Sequence, residues 1–416
     1  MTLIKTSILS SISTIIRVLT GFVVVKVVSV YVGPTGLALV AQVQNFVNMA
    51  SAVASGGIMT GIVKYTAEYK ENVEYKKKLW STSLKSSLFL SIITAILVAV
   101  LSGFLSQKIL GSSEYRYVFL LFSATVVLFV LNGILSAILN GQGEIKKLTA
   151  LSITGSILSL IVSVILVINF HLKGALIYLI VTQSIVFFLS ILFVVKSNWF
   201  KFEMFLENID KKNIINLLKF SLMTLTATIS NMSALIFLRN YIGTNLGWDA
   251  AGYWQGVWRI SETYIMLITT TLGVYYLPKL SSIQDKNELK KEIFYGYKIL
   301  MPLVIFMALF IYLFRDLIIR IIFTEEFSPM SDLFLFQLIG DVFKIASWLL
   351  GYIMVAKAMT KLFVYTEIIF VISFVLISIG LLNFWGLIGI TISFMISYFL
   401  YFIGLLILTK YKIKIF

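Results

Sequence analysis

Apolar stretches of roughly twenty residues follow one another along the whole chain, separated by short charged or glycine-rich interruptions. A helix of that length crosses ~30 Å of hydrocarbon, because each residue advances it by ~1.5 Å. Apolar windows and their charged borders predict spans near 7–31, 36–62, 80–104, 117–139, 149–170, 174–195, 218–241, 251–277, 298–318, 333–356, 362–382 and 387–409. These twelve crossings use up the chain, so no soluble catalytic domain is expected. Pro34, Pro278 and Pro329 stand at span borders, where a helix can end, whereas Pro302 lies inside span nine and predicts a bend by removing a backbone donor. The stretch after Met1-Thr-Leu-Ile-Lys5 is too long and too polar in its middle for a signal-peptide core, and no A-x-A-like site follows, so it reads as a retained first helix.

An internal repeat emerges from the span borders. Tyr31-Val-Gly33 recurs as Tyr241-Ile-Gly243, an offset of 210; Lys64…Asn72…Lys76 recurs as Lys279…Asn287…Lys291, an offset of 215; and Lys147-Leu148 recurs as Lys361-Leu362, an offset of 214. Together they predict two six-helix bundles, 1–196 and 218–416, joined by a cytoplasmic linker loop at 197–217. Six is even, so both halves enter the membrane in the same direction, a parallel repeat with a substrate path expected between the halves.

Composition makes lipid the solvent: of 416 residues 59% are apolar and 13% charged. The absence of cysteine excludes disulfides, thiolate metal sites and thiol nucleophiles. The single histidine, His171, sits in the short turn Phe170–Lys173 between two spans and reads as a polar turn residue. A net charge of +15 would suggest nucleic acid, but placement decides otherwise. With a cytoplasmic N-terminus the inner segments hold 23 Lys and Arg and the outer ones five, namely Lys108, Arg116, Lys173, Arg315 and Arg320. Both termini are therefore expected in the cytoplasm, and no nucleic-acid partner is needed.

Six basic residues remain inside spans: Arg17, Lys26, Lys85, Arg239, Arg259 and Lys344. A charge facing lipid at mid-depth costs at least ~2.5–3.5 kcal/mol, so several together imply a protein-lined, cationic cavity. Lys85 and Arg239 lie near span ends, where long side chains snorkel to the interface. Arg17 and Lys26, nine residues apart, fall on opposite faces of a straight helix. The buried acids are Glu262, Asp341 and Glu367; Arg259 and Glu262, like Asp341 and Lys344, are three residues apart on one helix face, the spacing of a neutralising pair.

Polar residues form stripes at helical spacing: Gln44, Asn48, Ser51 and Ser55 in span two; Ser221, Thr224, Thr228 and Asn231 in span seven; Gln255, Arg259 and Glu262 in span eight; Gln337, Asp341 and Lys344 in span ten. For Ser and Thr, gluing helices together explains the stripe; amides and charges suit a cavity lining. Tyr253, Trp254 and Trp258, near the outer end of span eight, read as part of an interfacial aromatic belt.

The turn Val32-Gly-Pro-Thr-Gly-Leu37, the segments Gly252–Ser261 and Tyr276–Ser281, and above all Asp332–Lys344 resemble the Wzx-type flippases of the multidrug/oligosaccharidyl-lipid/polysaccharide exporter superfamily, nearest to the enterobacterial common antigen branch. The resemblance implies an all-α polytopic membrane protein with a MATE-like pair of bundles around a central cationic cavity. It also implies a substrate, an undecaprenyl-pyrophosphate oligosaccharide carried from the cytoplasmic to the periplasmic leaflet of a bacterial inner membrane for later polymerisation. A polymerase and chain-length regulator of the same pathway would be its partners besides membrane lipid. By the same resemblance the cations of spans one and eight map to Arg17, Lys26 and Arg259, and the acid–base pair of span ten to Asp341 and Lys344.

Charge sign supports that reading independently, because a pyrophosphate needs cations along its path. Candidate substrate-binding residues are Arg17, Lys26, Arg259, Lys344, Gln44, Asn48, Asn231 and Gln255; candidate coupling residues are Glu262, Asp341 and Glu367, since a buried carboxylate can exchange its proton. No catalytic residue, metal or cofactor is expected, and there is no Walker-type phosphate loop. Two rival readings are a lipid II flippase, whose relatives have fourteen spans, and a drug exporter, whose cationic cargo would favour acids.

Overall fold

The computed structural model describes residues 3–413, which are helical almost throughout, with no strand among them. The side chains of Lys5, Lys219, Pro278, Lys412 and Lys414 lie outside those described. In chain order the α-helices are α1 (Leu3–Ala54), α2 (Met59–Glu68), α3 (Val73–Val100), α4 (Ser102–Leu110), α5 (Arg116–Gly141), α6 (Ile145–Val195), α7 (Lys211–Asn245), α8 (Trp248–Thr271), α9 (Leu277–Ser282), α10 (Lys286–Leu313), α11 (Arg315–Ile322), α12 (Phe334–Ala356), α13 (Thr360–Trp385) and α14 (Ile388–Leu408). Among the described residues nine helical stretches are long and apolar enough to cross a membrane. Two of the nine, Ile12–Ala54 and Ile145–Val195, are broken inside, at Gly33 and His171. With α8, which carries Arg259 and Glu262 in its membrane part, the crossings number about twelve, and the protein is a multi-pass α-helical membrane protein. The helical state follows from the solvent, since a peptide group in hydrocarbon must find its partner within the chain.

The turning points carry the repeat more clearly than the sequence does. Gly33 (φ 73), Gly143 (φ 73) and His171 (φ 48) have counterparts in Gly247 (φ 94), Ala358 (φ 52) and Gly386 (φ 59), at offsets of 214, 215 and 215. The first corresponds to Gly247, not to Gly243, which lies within helical α7; the offset of 210 read from the Tyr-x-Gly match is four residues short. Element succession repeats as well: α1 to α6 parallel α7 to α14, including short α2 and α9 before long α3 and α10, and short α4 and α11 after them. Within α10 the helix continues through Pro302.

His171 (φ 48, ψ −125) and Gly386 (φ 59, ψ −145) adopt the first corner of a II′-type turn, a region that glycine favours. Three residues on, Gly174 and Gly389 let the chain close: a methyl on either would fall 1.8 or 2.2 Å from the carbonyl oxygen of Leu166 or Leu381. His171 occupies the slot with its ring stacked on Tyr31, centroids 6.2 Å apart.

The described chain forms two compact units, Met1–Val32 with Leu39–Ile236 and Gly33–Ala38 with Phe237–Phe416. In the first, α3 presents Ser83, Ser87, Ser91 and Thr94 as a buried stripe of small side chains, which lets helices approach closely. In the second, α12 is the central helix, packed by α8, α10, α13 and α14. The segment Gly33–Ala38 docks on α8, where Thr35 donates from Oγ1 and N to Asp249 Oδ1 (2.7 and 3.2 Å). Gly252 permits this approach, for a Cβ there would lie 2.1 Å from the Pro34 carbonyl oxygen.

Valine is poorly accommodated at positive φ, so His171→Val and Gly386→Val are each expected to cost about 1–3 kcal/mol of stability. Thermal denaturation in detergent measures this, and an unchanged midpoint in both variants would show that the turns hold without strain.

Candidate functional site

The polar stripe of α12 faces α8 inside the second unit. Asp341 is fully buried and accepts hydrogen bonds from hydroxyls of α8, one from Ser261, whose Oγ stands 2.7 and 2.6 Å from the two carboxylate oxygens, and one from Tyr264 Oη at 2.7 Å. One turn earlier on α12, the Gln337 amide nitrogen lies 3.5 Å from Ser261 Oγ. The carboxylate is thus satisfied by neutral donors, as a buried acid requires.

Lys344 does not close an ion pair with Asp341. Its side chain is 7% exposed and its Nζ lies 5.0 Å from the ring centre of Trp348, 5.4 Å from Trp258, and 5.6 Å from both Phe394 and Tyr398. Four ring faces from α8, α12 and α14 surround one ammonium, each worth up to ~2 kcal/mol when desolvated. The cage holds itself together through edge-to-face contacts, Trp258 to Phe394 at 5.3 Å and Phe394 to Tyr398 at 4.8 Å. Glu262 likewise turns away from Arg259 and accepts from Trp258 Nε1 at 2.8 Å. The three-residue spacing therefore aligned partners on one face without joining them. Neighbouring helices supply other partners at shorter range, so the expected neutralising pairs are not formed as contacts.

Two further expectations are corrected here. Arg239 does not snorkel: it is 1% exposed, donates from Nη2 to Gln255 Oε1 at 2.6 Å and lies 5.5 Å from the Trp254 ring. Trp254 and Trp258, fully buried and 8% exposed, are not belt residues but interior rings against the cations of α7 and α12. Their depth along the chain matches an interface, yet their helix face points into the unit.

Residues 12–332 match the model of a family described as polysaccharide biosynthesis protein. The chain belongs to this family. It is 27% identical over 402 residues to the "Lipid III flippase" of Escherichia coli (strain K12), covering 97% of each chain, and equally similar to the protein of that name from Shigella flexneri. Solved structures of a multidrug resistance MATE family transporter of the MOP superfamily superpose with a TM-score of 0.75 for the inward-facing form, covering 95% of this chain and 96% of that one at 16% identity. For the outward-facing form the TM-score is 0.71, over 98% and 95% at 17% identity. The fold of this family member is MATE-like.

The other candidates of this polysaccharide biosynthesis family chain fall in the first unit, apart from Arg259 and Glu367 of the second. Arg17 is exposed and Lys26 half-buried; both precede the break at Gly33, so no bend between them brings them to one face. Gln44, half-buried, donates to Oδ1 of the exposed Asn48 at 2.9 Å, and Asn231 donates to its own helix at the Ala227 carbonyl, 3.0 Å. Glu367, half-buried, lies on α13. Lys85 donates to the carbonyls of Leu206 and Glu207 at 3.4 and 2.9 Å. Sequence reasoning passed over Gln42, a fully buried amide that donates to the carbonyls of Ile109 and Ile236, and the Ser261–Tyr264 donors of Asp341. A lone amide in the apolar run Leu39–Val43 was the available signal for the first; nothing local marked the second.

The cage depends on one glycine of α12. A Cβ at Gly340 would stand 2.4 Å from Phe394 Cδ1, so Gly340→Ala is expected to push Phe394 from Lys344 and cost about 1–3 kcal/mol. Gly380→Ala meets nothing within 4 Å and serves as control. Equal melting temperatures for the two variants would show that Phe394 yields freely.

Proposed function

We propose that this protein flips an oligosaccharide linked to undecaprenyl pyrophosphate from the cytoplasmic to the periplasmic leaflet of a bacterial inner membrane, with both termini cytoplasmic. The observation that carries the reading is Arg259. It lies half-buried within α8, and among the described residues its guanidinium makes no ion pair and no hydrogen bond. A cation held inside a span without a carboxylate against it favours an anionic cargo, and a guanidinium fork fits a phosphate bidentately. Lys344, answered by rings alone, adds a second cation on α12. The 27% identity to flippases across 97% of the chain points the same way.

In this reading transport proceeds by alternating access, driven by an ion gradient, by the membrane potential or by downstream consumption of product. Glu262, Asp341 and Glu367 are the proposed coupling carboxylates; Arg17, Lys26, Gln44, Asn48, Asn231, Gln255, Arg259 and Lys344 the proposed substrate contacts. The two topological halves, 1–196 and 218–416, act as the moving bundles, and product passes to a polymerase with its chain-length regulator. We assign enterobacterial common antigen as the glycan, with a serotype O-antigen as the competing outcome.

Complementation of strains lacking one flippase or the other decides the glycan by which polysaccharide returns. In the complementing strain Arg259→Ala is expected to abolish flipping at normal protein level and Arg259→Lys to retain part of it; full activity of the alanine variant would remove Arg259 from the mechanism. Topology is checked separately in the cysteine-free chain. Cysteines replacing Ser112, Asn245 and Ser328 are expected to react with an impermeant thiol reagent from the periplasm, and those replacing Asn72, Asn208 and Asn287 not to react. The reverse pattern would invert the orientation.

A further inference from the structure

We propose that a groove on the first unit, roofed by the loop after α6, receives the polyprenyl chain of the substrate from the cytoplasmic leaflet. This rests on the reading of the cargo as lipid-linked. The groove measures about 220 Å³ and is lined by apolar side chains alone, among them Leu84 of α3, Ile134 of α5, and Phe187 and Ile191 of α6. Phe202 and Phe205 of the loop complete it, and this loop makes it more than a gap between lipid-facing helices.

Packing and hydrogen bonds together hold this loop in place. Here Ser81 Oγ donates to the Met204 carbonyl and accepts from the Glu207 amide, at 3.2 and 3.0 Å. The Asp210 amide donates to Thr82 Oγ1 at 2.9 Å, and Lys85 Nζ donates to the Glu207 carbonyl at 2.9 Å. Trp199 Nε1 donates to Glu144, and Phe205 stacks on the fully buried Trp80, centroids 5.9 Å apart. The loop is thereby fixed over the ends of α3 and α6, while Phe202 remains 71% exposed at the groove mouth.

Charge selects the occupant. Two exposed lysines flank the lining: Lys196 follows Val195, and Lys201 stands between Phe200 and Phe202. Between 196 and 206 these two lysines outnumber the one carboxylate, Glu203, and an apolar slot beside such a basic segment matches a long hydrocarbon chain ending in a phosphate anion. The apolar groove of the second unit, lined by residues of α10 and α12 such as Ile305, Leu309 and Leu338, has no loop residue in its lining. The lining gives a section of hydrocarbon chain apolar contact and a sugar hydroxyl no partner, so the groove would hold the tail while the headgroup stays free to enter the transport path.

The test uses the full chain in lipid nanodiscs with two photoreactive probes, a diazirine-tagged polyprenyl phosphate and a diazirine-tagged phosphatidylglycerol. The prenyl probe is expected to label peptides carrying Leu84 and Ile191 in preference to the phospholipid probe. Ile191→Trp, which fills the slot, is expected to cut that labelling about tenfold or more. Lys196→Gln and Lys201→Gln leave the core untouched and are expected to reduce it about fivefold each, with no effect on an uncharged polyprenol probe. Equal labelling by the phospholipid probe would make this an ordinary lipid site and overturn the proposal, as would labelling that survives Ile191→Trp. Complementation with the same variants separates the two readings: an unlabelled groove in a chain that still restores polysaccharide defeats the groove and leaves the flippase standing, whereas loss of complementation by the unmodified chain defeats both.

Discussion

Hydrocarbon offers no partner to a peptide group and little screening to a charge, so whatever polarity this chain carries into the bilayer must be answered from within the chain. The first consequence is the helical state of almost every described residue. The second is that direction changes are concentrated at a few pivots, Gly33, His171, Gly247 and Gly386, where positive φ turns the chain within a residue or two. The third is the inward placement of Arg239, Asp341 and Lys344, each buried and each met by a neighbouring helix.

How Asp341 and Lys344 are answered bears on what they can do. A buried ion pair is costly to open, since removing one partner strands the other at roughly 3–5 kcal/mol. Hydroxyls and ring faces are weaker, divisible partners: two hydroxyls hold Asp341 and four rings surround Lys344. Exchanging one ring contact of Lys344 for the phosphate of the proposed cargo would leave the others in place. Trp258 ties Glu262 to the cage, because its N–H serves Glu262 while its ring faces Lys344. Glu262 and Lys344 thus share one side chain without any direct acid–base contact.

Span number and loop placement were legible because they depend on the length of apolar runs, a property read one residue at a time. The stripe Gln337–Asp341–Lys344 was legible for a similar reason, since helical periodicity fixes a face. What that face meets was not. Lys344 is caged by Trp258, 86 residues before it, and by Phe394 and Tyr398, about 50 residues after it, and no local pattern announces such distant rings. Trp254 and Trp258 were misread for the complementary reason: depth along a helix suggested a belt, and only the packing of α8 reveals which side they take. Arg239 was assigned to the interface by its nearness to a span end, although the rotation of α7 buries it against Gln255. The groove under the loop after α6 left no trace, because a loop rich in Lys and Phe reads as a surface until its hydrogen bonds to Ser81, Thr82 and Lys85 are known.

The repeat supplies a control for the polar cluster. At the offset of 215 shared by two of the turning-point pairs, Ser261, Gln337, Asp341 and Lys344 correspond to Phe46, Phe122, Val126 and Phe129. In the first unit those positions form an apolar core: Phe46 meets Phe122 edge-on at 5.7 Å, Phe122 meets Phe129 at 5.5 Å, and Val126 is fully buried. The same succession of helices is therefore stabilised by rings in one half and by hydroxyls, a carboxylate and a caged ammonium in the other. Since apolar packing at these positions suffices for the helices, and burying charge costs free energy that burying rings does not, the fold gives no reason for Asp341 and Lys344 to be there. On the function proposed above, the passenger is an anion, and Lys344 is a cation that would serve it.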